Sequence, residues 1–377
     1  MNSILALALA CSGLAACSAA QGPVPTTVAG ITLSDGPRLS ARRATHALVR
    51  TTDGLIVALG GCVEDGCEPG PASATVDVFA ADGRAVVRTG RLLVRRVQPS
   101  AAQLPNGQVL VIGGWVDGQV SETTEIFDPA KGRSRVGPRL AGPRSSPTVV
   151  QLDDDTVLIA GGYDGRSVQS SAQIYEPRSG KLRTVGALRT PRSGATGTLL
   201  PNGQVLLAGG GNGESDGRRA LDSAELFDPL TGQFRATGSL VQRRYKHGAV
   251  ALPDGDVLII GGSDERDYRG KLRTVERYNV TTGQFVKAGL LAVERFKLAD
   301  GVLLIAPNKI LVAAGDRHPE VFYVAEGKGL LLPDDLGSQW NYMTVARIDA
   351  TAALLAGGYR EGLIQPTDRT WRFALRE

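Results

Sequence analysis

Arg43, Arg96, Arg144, Arg192 and Arg244 each stand 17 residues ahead of the first glycine of a Gly-Gly pair. Arg295 holds a near-equivalent place, and Trp340 takes that place in the last such segment. A guanidinium is always charged, and its planar fork of donors matches carboxylates, sulfates and phosphates bidentately. Five or six of them around one opening would make an anion site. The same offset also fits a structural role, in which each arginine packs and hydrogen-bonds between repeated units. Both readings stay open at the level of sequence.

Other chemistry finds less support. There are three histidines. His46 and His247 each follow an arginine by three residues, so they belong to the repeat, and His318 is isolated. No Ser-His-Asp constellation can be assembled from them. Ala208-Gly-Gly-Gly-Asn-Gly213 looks like a phosphate loop but lacks the Gly-Lys-Ser/Thr ending and a following helix. Asp153-Asp154-Asp155 falls in a turn and reads as a solvated charge run. Asp264, Glu265 and Asp267 offer oxygen ligands for Ca²⁺, without the spacing of an EF-hand loop. Cys62 and Cys67, separated by Val-Glu-Asp-Gly, are expected to bridge one loop as a disulfide. Two thiolates with no further Cys or His nearby make a poor zinc site. No metal and no cofactor are expected.

The elements that carry these residues repeat. LPNGQVLVIGG at 104–114 returns as LPNGQVLLAGG at 200–210. Glycine pairs occur at 60, 113, 161, 209, 261 and 357, with Ala314-Gly315 filling the gap, so successive spacings run from 43 to 53 residues. A period near 50 built from short strands points to a radial repeat. Within each unit a first strand leads into a tight turn such as Pro253-Asp254-Gly255. The second strand is continuously apolar, as in Val257-Leu-Ile-Ile260, which implies cover on both faces. A third run, Ala224-Glu-Leu-Phe-Asp-Pro229, and a Thr-Gly turn into a fourth strand complete the unit. Four strands in roughly 50 residues make a propeller blade.

The order of Arg, glycine-bearing strand, Gly-Gly, Glu-x-Phe/Tyr-Asp-Pro and Thr-Gly-x-Phe resembles the kelch repeat over nearly everything after residue 30. The resemblance implies an all-β kelch-type β-propeller over residues 31–377. Seven four-stranded blades are expected, or six if the segment around Ala314-Gly315 is not a blade. Gly36-Pro37-Arg38-Leu39 repeats Gly137-Pro138-Arg139-Leu140, so an N-terminal fourth strand should close the last blade. In kelch relatives, arginines at this place contact acidic peptides. The variable loops after each glycine pair, one of them opening on Trp115, lie on the same face. The expected ligand face is therefore Arg43, Arg96, Arg144, Arg192, Arg244, Arg295, Trp115 and Trp340. Kelch-type propellers also include a copper radical oxidase and a sialic acid epimerase. The oxidase needs a Cys-crosslinked tyrosine and histidine ligands, and here no cysteine follows Cys67. An epimerase- or lyase-like action on a carboxylated sugar is the alternative to a non-catalytic module, and no acid–base pair can be named for it.

Residues 1–22, MNSILALALACSGLAACSAAQG, form a short apolar run with a small-residue exit, which suits a signal peptide. Leu14-Ala15-Ala16-Cys17 resembles a bacterial lipobox. That resemblance implies a signal peptide over 1–16, a lipidated Cys17, and a flexible tether over 17–30. Ser18 in place of an aspartate leans towards the outer membrane. A net charge of +4 over 377 residues gives no reason to expect nucleic acid. The expected protein is a monomeric binding module of the cell envelope, held to the membrane by lipid. Its expected ligand is an acidic glycan or a protein segment.

Overall fold

The computed structural model describes residues 30–64, 67, 71–213, 219–298 and 300–375. Cys17 and the expected signal peptide and tether lie outside these residues. Apart from one 3-10 turn at Asp267–Gly270, the regular structure among the described residues is β. No helix among them is long and apolar enough to cross a membrane.

The innermost strands are Ala47–Arg50, Ser100–Gln103, Thr148–Gln151, Thr196–Leu199, Gly248–Ala251, Val302–Ala306 and Thr344–Arg347. Each touches the next, and the last touches the first, so they stand in a closed ring. Outward from each run three more antiparallel strands. The third unit, for example, is Thr148–Gln151, Val157–Ala160, Ala172–Glu176 and Lys181–Thr184. Single parallel contacts, Arg91 with Arg133 and Leu290 with Lys328, join neighbouring units at their outer edges. The segment containing Ala314-Gly315 forms four strands like the others. The last unit takes its outermost strand from the N-terminus, with Ile31 opposite Leu375 and Asp35 opposite Trp371. One sheet thus holds both ends of the described chain.

The core lies between units. In the second strand of the third unit, Val157 and Ile159 pack with Leu110 and Ile112 of the unit before. Leu158 and Ala160 pack with Val205 and Leu207 of the unit after. Alternate residues serve opposite neighbours, so a strand covered on both faces needs an unbroken apolar sequence.

The glycine pairs make the ring possible. Gly162 donates its N–H to the Arg192 carbonyl of the next unit at 2.9 Å. The same bond recurs in every unit, ending with Gly358 to Arg43, which closes the circle. Gly161 has φ +66, and a Cβ there would stand 2.3 Å from the Arg192 oxygen. No side chain fits at that approach. In the sixth unit Gly315 makes the same bond, to the carbonyl of Trp340, and Ala314 takes the first position without the positive φ of Gly161.

Candidate functional site

The six arginines do not line an opening. Each is at most 2% exposed, with its guanidinium turned into its own unit. Arg192 donates Nη1 to the carbonyls of Gly209 (2.8 Å) and Ser223 (3.0 Å), and Nη2 to Glu225 (2.9 Å). The Glu225 carboxylate also accepts the backbone N–H groups of Arg189 and Thr190. Arg43 pairs with Asp77, Arg96 with Glu125, Arg244 with Glu276 and Arg295 with Glu320 in the same way. Arg144 faces Gln173 at the acid's place, and bonds the Gly161 and Ser171 carbonyls. These guanidiniums satisfy the carbonyl of the first residue of each glycine pair, and they share the third-strand carbonyl beside it, such as Ser223, with the glycine N–H. Their donors are spent inside the scaffold, so the expectation of an arginine ligand face is corrected.

Trp340 is corrected likewise. It is buried against Trp371, with ring centroids 6.1 Å apart, and donates its indole N–H to the Leu336 carbonyl. Trp371 occupies the acid's place. One unit has therefore exchanged both members of the ion pair for tryptophans. Cys62 and Cys67 are joined as a disulfide. Trp115 is half-buried on the wall of the central funnel, beside Tyr163.

That funnel is a cavity of about 860 Å³ on the face carrying the loops after the glycine pairs. Its rim is set two residues beyond each of the six arginines, and two beyond Trp340 in the last unit. Thr45, Gln98, Ser146, Gly194, Lys246, Lys297 and Tyr342 all line it. All seven have φ between +50 and +61. Six are not glycine, and a threonine there is strained. The constraint comes from both sides, since the preceding arginine is locked into its unit. Neighbouring rims are also tied through the backbone, for example Tyr342 N–H to the Lys297 carbonyl at 3.0 Å. The strained turn aims each side chain at the axis.

The rim has two unlike sides. Gln98, Ser145 and Ser146 form a neutral polar wall with Trp115, with Gln98 Nε2 donating to Ser146 Oγ at 2.7 Å. Opposite stand Lys246 and Lys297. Lys246 pairs with Asp267 at 2.9 Å, and Tyr245 donates its hydroxyl to the same carboxylate oxygen. Burial works against the Asp267 charge, but Lys246 and Tyr245 outweigh it and hold the carboxyl below its usual range. Lys297 donates to the Tyr359 hydroxyl at 2.6 Å and lies over the Phe296 and Tyr359 rings. Burial first, and then the Lys246 cation, lower its amine to about 8.

The irregular sixth unit shapes this side. Arg295 bonds the Ala314 carbonyl 19 residues on, where the other units have 17. Asp300, within this longer stretch, lines the funnel. The loop after Gly315 is short, so Lys271 of the fifth unit reaches over it to Glu361 of the seventh at 2.9 Å.

The kelch motif model matches residues 98–141 and 244–289. No characterised protein matches the sequence significantly. Among solved structures, the chain is similar to a fungal alcohol oxidase of the AA5 family, in complex with copper. The two share 15% identity with a TM-score of 0.69, over 91% of this chain and 76% of that one. At that identity the likeness concerns the fold. The donor set here does not fit copper. His46 Nε2 is bonded to Thr344 Oγ1 and His247 Nε2 to Thr196 Oγ1. Burial and the neighbouring arginine lower both imidazoles to about 3. His318 is bonded to the Asp334 carbonyl. Among the described residues no three His, Cys, Asp or Glu side chains gather as a metal site.

Proposed function

Because this chain is a kelch-repeat β-propeller, we propose that it is a non-catalytic binding module of the bacterial cell envelope. It takes an acidic glycan into its central funnel. One observation supports this reading above others: Lys246 and Lys297 share one side of a rim whose other side is neutral and hydroxyl-rich, beside Trp115. An ammonium point charge suits a carboxylate or sulfate, while serine hydroxyls, an amide and an indole face suit a sugar ring. The strained backbone under the rim fixes these groups before the ligand arrives, which lowers the ordering cost of binding. Lipid on Cys17 would hold the propeller at a membrane, with residues 17–30 as tether. The lipobox resemblance supports that part, and the absence of Asp at position 18 supports the outer membrane.

Titration of the full chain with acidic oligosaccharides, by calorimetry at two salt concentrations, tests the ligand. Binding should weaken with salt. Lys246→Met and Lys297→Met should each weaken it about tenfold or more, the scale of a hydrogen bond to a charged group. Binding indifferent to both variants would remove the funnel from the proposal. Cys17→Ser should release the protein from membranes, and unchanged fractionation would refute the anchor.

A further inference from the structure

We propose that Lys297 is a nucleophilic amine, which captures a small carbonyl compound bearing a carboxylate as an imine in the funnel. The geometry carries this. Lys297 lines the cavity from a strained rim position with φ +55. Its ammonium sits over two aromatic rings and donates to the Tyr359 hydroxyl at 2.6 Å. The two carboxylates whose charges favour the Lys297 ammonium are committed elsewhere, Asp267 to Lys246 and Glu361 to Lys271, and Asp300, which lines the same funnel, makes no ion pair with it. Among the described residues none stands within ion-pair distance of Lys297. An amine held against aromatic faces, beside two other cations and without its own counter-ion, is favoured in its neutral form. With its amine lowered to about 8, Lys297 at pH 7.5 presents roughly two hundred times more free amine than a solvent-exposed lysine.

The step balances without an oxidant or reductant. The neutral Nζ lone pair attacks the carbonyl carbon, a C–N bond forms, and the C=O π pair moves to oxygen. The nitrogen's proton passes to that oxygen through the Tyr359 hydroxyl, giving a carbinolamine. Loss of water then gives the imine. The ligand's carboxylate lies beside Lys246 on the funnel wall, with the Lys271 cation behind it, while Asp300 lines the same cavity as the opposing charge. The proposal rests on the funnel's geometry and is independent of which glycan, if any, the funnel takes.

The test is reductive trapping. The full chain is incubated with glyoxylate and cyanoborohydride at pH 7.5, and the labelled lysines are mapped by peptide mass spectrometry. Lys297 should label at least tenfold faster than any of the other seven lysines. Labelling spread evenly, or slowest at Lys297, would overturn the proposal. Glycolaldehyde, which lacks the carboxylate, should label Lys297 more slowly, and equal rates would overturn the anionic part. Tyr359→Phe keeps the lysine and removes the relay, so labelling at Lys297 should slow several-fold. An unchanged rate there would exclude Tyr359. Trapping is read at one side chain, so its failure leaves glycan binding intact, and failure of glycan binding leaves trapping intact.

Discussion

Arg192→Met separates a scaffold arginine from a ligand-binding one. The substitution keeps the aliphatic stem and removes the guanidinium, leaving Glu225, itself 2% exposed, without its cation. Breaking a buried pair by removing one partner costs about 3–5 kcal/mol. The Gly209 carbonyl loses its donor as well, while the Ser223 carbonyl keeps the Gly209 N–H, which places the effect above the lower end. A loss of that size lowers the thermal midpoint by on the order of 10 °C. The double variant Arg192→Met, Glu225→Leu removes the stranded charge and should recover part of the loss, because a buried pair exchanged whole for apolar groups is often tolerated. The seventh unit already shows such an exchange, in Trp340 and Trp371. Guanidinium denaturation of the three proteins measures the order wild type, double, single. A single variant within about 0.5 kcal/mol of wild type, with anion binding lost, would refute the scaffold reading and return the arginine to the ligand face.

Two further outcomes follow from buried groups. His46 and His247 are held neutral in the fold, their imidazoles lowered to about 3 from an ordinary 6.5. Below pH 6.5 the unfolded chain takes up protons that the folded protein excludes. Stability is therefore full above 6.5 and lost as pH falls towards 3, by about 1.4 kcal/mol per pH unit for each histidine. His46→Gln should show a shallower loss between pH 6.5 and 5 in denaturant midpoints, and an unchanged slope would refute the assignment. The Cys62–Cys67 bridge closes a short loop, so Cys62→Ser with Cys67→Ser should cost about 2 kcal/mol by the loop-entropy estimate. Two alkylatable thiols in the unreduced protein would refute the bridge.

The repeat made the fold legible, because every unit solves one packing problem with one pattern: apolar second strand, glycine pair, arginine. The direction of the arginine was not legible. A fixed offset says that a residue is used alike in each unit, and both a buried node and an exposed ring satisfy it. The acids that would have revealed the node are hidden by loop length. They follow their arginines by 34, 29, 33, 32 and 25 residues, so no common spacing connects them. The rim residues lie at a constant offset of two, yet only Lys246 and Lys297 share an identity among the seven, and a search for similarity passes over positions that vary. Their positive φ has no marker in the sequence either, since Thr, Gln, Lys and Tyr are not the residues that favour it.

The sixth unit, whose glycine pair is degraded, gives the sharpest use of that contrast. Its two extra residues and short outer loop allow Lys271 and Glu361 to meet across it, above Lys297. Both members of that pair are 14% exposed, and Glu361 Oε2 is buried without a hydrogen-bond partner. Glu361 therefore acts on two cations, bonding Lys271 and raising the amine of Lys297 through its charge. Removing the negative charge with Glu361→Gln should lower the Lys297 amine further, and raise its trapping by glyoxylate at pH 7.5. Lys271→Met should do the reverse, because it removes a repelling cation and frees the carboxylate for Lys297. The two variants break the same ion pair and would destabilise the loops alike. Opposite changes in trapping, with midpoints moving along the pH axis in opposite directions, are therefore an electrostatic signature that loosening cannot imitate. Changes of the same sign would show that the strut only holds the loops together.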